Sequence, residues 1–222
     1  MAPTDGVSLE SKAAGRKTPA RPKARSYHKG NVAEDLKVAA ARLLKQNRVE
    51  DISARRLARE VGVASANFYN HFPSLDYLWL DIAADGFQNR EASNRRILEA
   101  AASQEEAMIE IAQSSVEFAL ENPELFKIMF GQIANRESHK RYIERSRASF
   151  NVLIEAVVGA PHKPGRRQAE AYAFFSFING LTRIVVQGMV SDMTRTKAER
   201  RDFVEEVTRS FLRGHGRRPS AA

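Results

Sequence analysis

Between Asp51 and Leu80 the chain reads DISARRLAREVGVASANFYNHFPSLDYLWL, and its polar side chains are of the kinds that meet nucleic acid. Arg55, Arg56 and Arg59 crowd one short stretch, and Asn67, Tyr69, Asn70 and His71 follow closely. Guanidinium groups pair with phosphate oxygens, while amides and hydroxyls bond phosphates and base edges alike. No comparable grouping points to catalysis. There is no Cys, no Gly-rich phosphate loop and no HExxH, and His28, His71, His139, His162 and His215 are scattered. The neighbouring acids Glu105/Glu106 and Glu205/Glu206 read as exposed helix surface, and the ExxH of ferritin-like carboxylate sites is absent. No catalytic residue, metal ligand or cofactor is therefore expected.

Two short helices would have to carry these groups. Leu57, Ala58 and Val61 share one face of a helix beginning near Ala54, with Ser53 placed to cap it. Gly62 follows Val61, where a left-handed residue ends a helix at little cost. A second helix, about Ala64 to Asn70, then buries Phe68 and Val63 against the first, and the small Ala58 allows a close crossing. The spacing predicts a helix-turn-helix, which lays its second helix in the major groove. A plain two-helix corner of an all-α protein fits the spacing equally, and the basic residues favour the DNA-binding alternative.

With these residues in view, ISARRLAREVGVASANFYNHF resembles the DNA-binding signature of the TetR family of bacterial transcriptional regulators. The resemblance is carried by Ser53, Arg55, Leu57, Ala58, Gly62, Val63, Tyr69, His71 and Phe72. YHKGNV at Tyr27 to Val32 is similar to the start of the first helix in many members, so the likeness spans about Tyr27 to Leu80. Two positions depart from the family pattern. Ala64 stands where Ser or Thr is usual, and Leu75 stands where a phosphate-binding Lys is usual, so no phosphate role is carried onto Leu75.

The 222 residues are 43% hydrophobic and 28% charged, with net charge +8. That composition suits a globular protein of one or two domains able to bury roughly 70% of its unfolded surface. No apolar run is long enough for a membrane span, and the polar N-terminus is no secretory signal. Without cysteine, disulfides are excluded, and a cytoplasmic location is expected. Residues 1–80 hold 14 Lys/Arg against 8 Asp/Glu, whereas residues 81–222 hold 21 against 19. The excess lies with the helix-turn-helix, as a polyanion partner requires.

Along the chain, residues 1–26 read as a disordered basic arm, either tracking phosphates or merely solubilising. Residues 27–74 form the expected DNA-binding domain. Its first helix, Asn31 to Gln46, is capped by Asn31 with Glu34 as capping-box partner, and packs on Ile52, Leu57, Phe68 and Phe72. Residues 75–213 are read as a helical effector-binding and dimerisation domain, and 214–222 as a disordered basic tail. A long helix from Ser74 to about Ala101 links head and body, and in the family it transmits ligand occupancy. Further helices follow from Ser103, from Pro123 to about Gly131, from Glu137 to Val158, from Arg166 to about Val190 and from Lys197 to Arg213. GAPHKPG at 159–165 is a loop by its breakers. The fold class is all-α: a three-helix N-terminal head joined by a long helix to a helical body.

The helix from Gln168 to Val190 is apolar on more than one side and needs cover on several faces. The resemblance supplies it, since family members pair their last two helices with those of a second subunit. Gly180 and Gly188 would permit close approach, with Phe203, Val204, Val207 and Phe211 as the matching stripe. NPELFKIMFG at Asn122 to Gly131 resembles a segment of the WHG-type effector domain, although Phe175 and Asn179 replace its Trp and His before Gly180. Phe118, Phe126, Met129, Phe130, Phe174, Phe175 and Phe177 are candidate walls of an effector pocket. Asn179 and Arg183, one turn apart, are its candidate polar groups or alternatively interface residues.

The expected function is a homodimeric repressor released from a palindromic double-stranded operator by an apolar or amphipathic small molecule. Ser53, Arg55, Tyr69 and His71 would hold phosphates, while Ala64, Ser65, Ala66 and Asn67 would face bases, Asn67 suiting adenine. The alternatives are a protein that coats DNA without sequence preference and an enzyme on a helical scaffold.

Overall fold

A computed structural model describes residues 31–159 and 167–216. The 1–26 arm, most of the 27–32 stretch and the 159–165 loop, and the end of the tail lie outside the described residues. Nine α-helices and no strand occur among the described residues: α1 (Val32–Leu44), α2 (Ala54–Val61), α3 (Ser65–Tyr69), α4 (Leu75–Ala100), α5 (Gln104–Glu121), α6 (Pro123–Phe130), α7 (Lys140–Val158), α8 (Arg167–Val186) and α9 (Lys197–Gly216). The protein is all-α. None of these helices is long and apolar enough to cross a membrane.

Local chemistry sets most of the boundaries. Ser53, Ser74 and Ser103 accept the amides of Arg56, Tyr77 and Glu106 at 3.2, 3.4 and 3.1 Å, so three helices start on serine caps. Gly62 ends α2 at φ 80°, a conformation that costs other residues more. Three expectations are corrected. Asn31 does not cap α1, because its ψ of 49° leaves the extended geometry that aims a cap side chain at the helix amides. Helix α7 starts at Lys140 rather than Glu137, its amide at Tyr142 taken by His139 Nδ1 at 3.2 Å. Helix α8 ends at Val186 rather than near Val190, with Gly188 past its end at φ 72° and its amide donating to Val185 O.

Two cores result. The head core joins Leu36, Ala40, Leu43, Ile52, Leu57, Phe68 and Phe72, and runs on through Leu78, Trp79 and Ile82 at the start of α4. The body core gathers Ile111 and Val116 from α5, Leu153 from α7, Phe174, Ile178, Leu181 and Val185 from α8, and Val204 from α9. Helix α6 bridges them, with Ile128 and Met129 in the head cluster. It crosses α4 so closely at Gly86 that a Cβ there would stand 2.6 Å from Met129 Sδ.

Polar ties reinforce this junction. Glu124 of α6 accepts the Val49 amide at 2.7 Å, and Lys127 pairs with Glu50. Asp85 of α4 pairs with Lys37 of α1 at 2.9 Å and with Arg141 of α7, which also reaches Asp81 at 3.4 Å.

The stripe expected on α9 faces inward. Val204 is buried, and Phe203, Val207 and Phe211 pack against the body core, where Phe211 meets Phe174 and stacks on Phe177 at 4.4 Å. The exposed large apolar side chains in this part of the chain are Tyr172 and Ile184 on α8, with Met189 and Met193 just beyond it. Nothing lies within 4 Å of a Cβ built on Gly180.

Candidate nucleic-acid interface and internal cavity

The three head helices hold their polar groups by unlike means. Phe68 of α3 is fully buried in one cluster with Ala54 and Leu57 of α2, so an aromatic plug holds α3 to the head core. Ser53, Arg55, Ala64, Ser65, Ala66, Tyr69 and His71 are all exposed, and Asn67 is half-buried. Tyr69 leans edge-on against the Phe68 ring at 5.2 Å, which restricts a side chain otherwise surrounded by solvent. Asn67 Oδ1 accepts from Asn70 Nδ2 at 3.1 Å, fixing the amide on the helix surface. Ala64 opens α3 without a side-chain cap, as its lack of a polar group requires.

The arginines divide. Arg56 is half-buried and donates to Asn47 Oδ1 at 2.9 Å and Asp51 O at 3.3 Å, so its guanidinium holds the α1–α2 connection. Arg55 and Arg59 stay exposed. Sequence spacing placed all three in one basic group, and only the fold separates the structural one from the surface pair.

The body holds a cavity of about 440 Å³, partly open to solvent and within the range of small-molecule sites. Helices α4 to α8 all contribute. Of the candidate pocket residues, Phe118, Phe126, Met129, Phe130, Phe175 and Asn179 line it. Phe174 and Phe177 do not, since both turn into the α8–α9 core. Arg183 is also outside it: it is exposed and donates to Phe130 O at 3.4 Å, tying α8 to α6.

Much of the cavity's chemistry comes from residues the sequence did not single out. Phe87, Phe150, Tyr142 and Tyr172 complete the aromatic wall, with Phe87 edge-on to Phe130 at 5.5 Å. Arg90 and Asn94 enter from α4, Ser115 from α5, Ser149 from α7 and Thr182 from α8. Arg90 is only 8% exposed, and burial pushes its pKa down to about 10. Tyr142 donates to Met129 O at 3.3 Å, and burial pushes its phenol up. The one available signal was a basic and an amide residue, Arg90 and Asn94, at i,i+4 on a helix otherwise read as a link. Among the described residues no group of three His, Asp or Glu side chains is placed to hold a metal ion.

Known proteins match both halves. The family described as "Bacterial regulatory proteins, tetR family" matches residues 37–80, and "Tetracyclin repressor-like, C-terminal domain" matches residues 108–211. A protein with unknown function from Rhodococcus sp. RHA1 is similar in structure at TM-score 0.70 and 26% identity, covering 86% of this chain and 98% of its own. A TetR transcriptional regulator from the same organism aligns at TM-score 0.58 and 16% identity, covering 83% and 98%. The transcriptional regulator FadR from Bacillus subtilis, in complex with stearoyl-CoA, aligns at 0.59 and 13%, covering 79% and 96%. At the last two identities the likeness is one of fold. No curated protein matches the sequence significantly.

Proposed function

The chain belongs to the TetR family, whose members are DNA-binding transcriptional regulators, and from that premise we propose a homodimeric repressor released from a palindromic operator by a small molecule in the body cavity. The observation that carries this reading is the double use of α4 and α6. Phe87 and Arg90 of α4 line the cavity, while Leu78 and Trp79 of the same helix pack into the head core. Phe126, Met129 and Phe130 of α6 line it too, while Glu124 and Lys127 touch Val49 and Glu50 of the head. A ligand that moves either helix moves the head with it, because close-packed helices shift as bodies. The FadR of Bacillus subtilis, a relative in fold, holds stearoyl-CoA, an amphipathic molecule of the class this reading invokes.

On DNA, Ser53 and Arg55 hold phosphates beside α2, and Tyr69 and His71 hold them beyond α3. Ala64, Ser65, Ala66 and Asn67 face the bases, with Asn67 reading adenine. The exposure of these side chains supports the assignment. Residues 31–74 act as the reading head and the helices from Leu75 onward as the effector-binding and dimerisation body. Dimerisation through the last two helices is supported by the uncovered Tyr172, Ile184 and Met189 and by the open Cβ position at Gly180. Its partner in chromosomal DNA assigns the protein to the cytoplasm, as a regulator rather than an enzyme.

Selection from random duplex DNA at physiological salt tests the reading. The expected product is a palindrome with half-sites about one helical turn apart. Tight binding that enriches no sequence would replace the repressor by a coating protein. On the selected duplex, Arg55→Ala should weaken all sequences alike and lower the salt slope by about one unit. Asn67→Ala should relax preference at one base pair, and an equal loss on every duplex would sink that role.

A further inference from the structure

A buried cation normally has an anion beside it, and the cavity wall supplies none to Arg90. Its guanidinium donates to Ser114 Oγ at 2.9 Å and to Asn94 Oδ1 and Ser115 Oγ at 3.0 Å, and it lies 5.4 Å from the Phe118 ring centre. These partners are neutral. Among the described residues no carboxylate pairs with Arg90, and no Asp or Glu lines the cavity. The hydrogen bonds orient the guanidinium without neutralising it. Even at the lowered pKa of about 10 it stays charged near neutral pH. Arg136 and Arg147, both exposed, also line the cavity, so every formal charge on its wall is positive.

A second observation is independent of the first. Thr182 lines the same cavity, is 0% exposed, and its Oγ1 has no hydrogen-bond partner among the described residues. A helical threonine ordinarily bonds the carbonyl one turn back, and an orphaned buried hydroxyl is destabilising. A ligand that brings a polar atom removes that cost.

We propose that the cavity takes a monoanionic amphiphile: an apolar, aliphatic or aromatic body carrying one carboxylate, with the carboxylate on Arg90 and Thr182 as a second polar contact. The proposal rests on the reading of this cavity as the effector site. A guanidinium makes a strong charge-assisted hydrogen bond to a carboxylate, and the Nε–H of Arg90 is not among the donors spent on Asn94, Ser114 and Ser115. One buried guanidinium balances one negative charge, whereas a dianionic phosphate would keep a second charge buried. The rings of Phe87, Phe118, Phe126, Phe130, Phe150 and Phe175 suit the apolar body. The exposed Arg136 and Arg147 add a field that draws anions in.

The test is calorimetric titration of the full chain with two matched pairs, decanoate against decanamide and 4-phenylbutanoate against 4-phenylbutanamide. The wild type should bind at least one acid tenfold or more tightly than its amide. Arg90→Met should bring the two within about twofold, Arg90→Lys should keep part of the preference, and Thr182→Val should weaken the acid with smaller effect. Equal binding of acid and amide by the wild type, which needs no variant to fold, overturns the anion assignment and leaves the effector site standing. So does a preference that survives in Arg90→Met. Binding of none of the four probes overturns both the anion and the effector reading.

Discussion

The head and the body bury different kinds of atoms. In residues 31–74 the buried side chains are all apolar, and the groups capable of recognition lie outside. In the body eight polar side chains are buried among the described residues, and four of them, Arg90, Asn94, Ser149 and Thr182, border the cavity. A closed apolar core makes a rigid platform, whose chemistry is whatever its outer face presents. A core interrupted by polar groups gives up packing and in return gains an interior that distinguishes one occupant from another. Under the function proposed, the contrast separates the two partners: DNA on the outside of one unit, the small molecule on the inside of the other.

The largest test of that contrast is aromatic truncation. Phe68→Ala should cost about 3–5 kcal/mol in urea unfolding and abolish DNA binding, because Phe68 is the one buried side chain of α3. Phe174→Ala, at a fully buried site, should cost a similar amount. Phe175→Ala should cost only about 1–2 kcal/mol, since a side chain facing a cavity already lacks contacts on one side. Equal losses at Phe174 and Phe175 would mean that the cavity wall is packed as tightly as the core.

A smaller comparison uses matching caps. Ser53→Ala and Ser103→Ala each remove one capping bond, worth about 1 kcal/mol. The stability losses should be alike. Ser53→Ala alone should also weaken operator binding, because it loosens the start of α2 next to Arg55. Equal loss of DNA affinity in both variants would show that the serine at position 53 acts only through global stability.

The head was legible because its determinants are local. Ser53, Gly62 and Phe68 lie within a few turns of the residues they act upon, so cap, break and plug can be read from spacing. Helix ends were legible for the same reason, and they failed where a distant or conformational cause intervened, as at Asn31 and Gly188. The cavity was half legible. Its α5 and α6 walls showed as aromatic spacing, but Arg90 looked like one surface charge among many on a linking helix. The approach of Ser114, Ser115 and Phe118 from α5 covers it. Phe174, Phe175 and Phe177 are alike in type, and the packing of α9 alone decides that Phe175 meets the cavity and its neighbours do not. The face of α9 likewise follows from which helices cover it.

The smallest expected effect concerns the seam between the two units. Lys37 of α1 and Arg141 of α7 converge on Asp85, so one carboxylate ties head, linking helix and body. Burial, the largest single influence on this carboxyl, would raise its pKa, but the hydrogen bonds and charges of Arg141 and Lys37 outweigh it and hold the value below the ordinary 3.8. A carboxyl depressed in the folded state contributes stability that is complete above its unfolded pKa and is lost as pH falls through the folded one. The contribution therefore begins to fall near pH 4 and is gone only below the lower folded value. Because the three side chains are partly solvated, the amount should stay under about 1 kcal/mol and shrink in salt. Asp85→Asn should show that small loss at pH 7 and a shallower fall of stability below pH 4 than the wild type. It should also leave the affinity for the operator near normal while reducing the release produced by a ligand, since the seam and not the reading face is altered. Full ligand-induced release in Asp85→Asn would assign the coupling to α6, through Glu124 and Lys127, and leave the Asp85 knot a matter of stability alone.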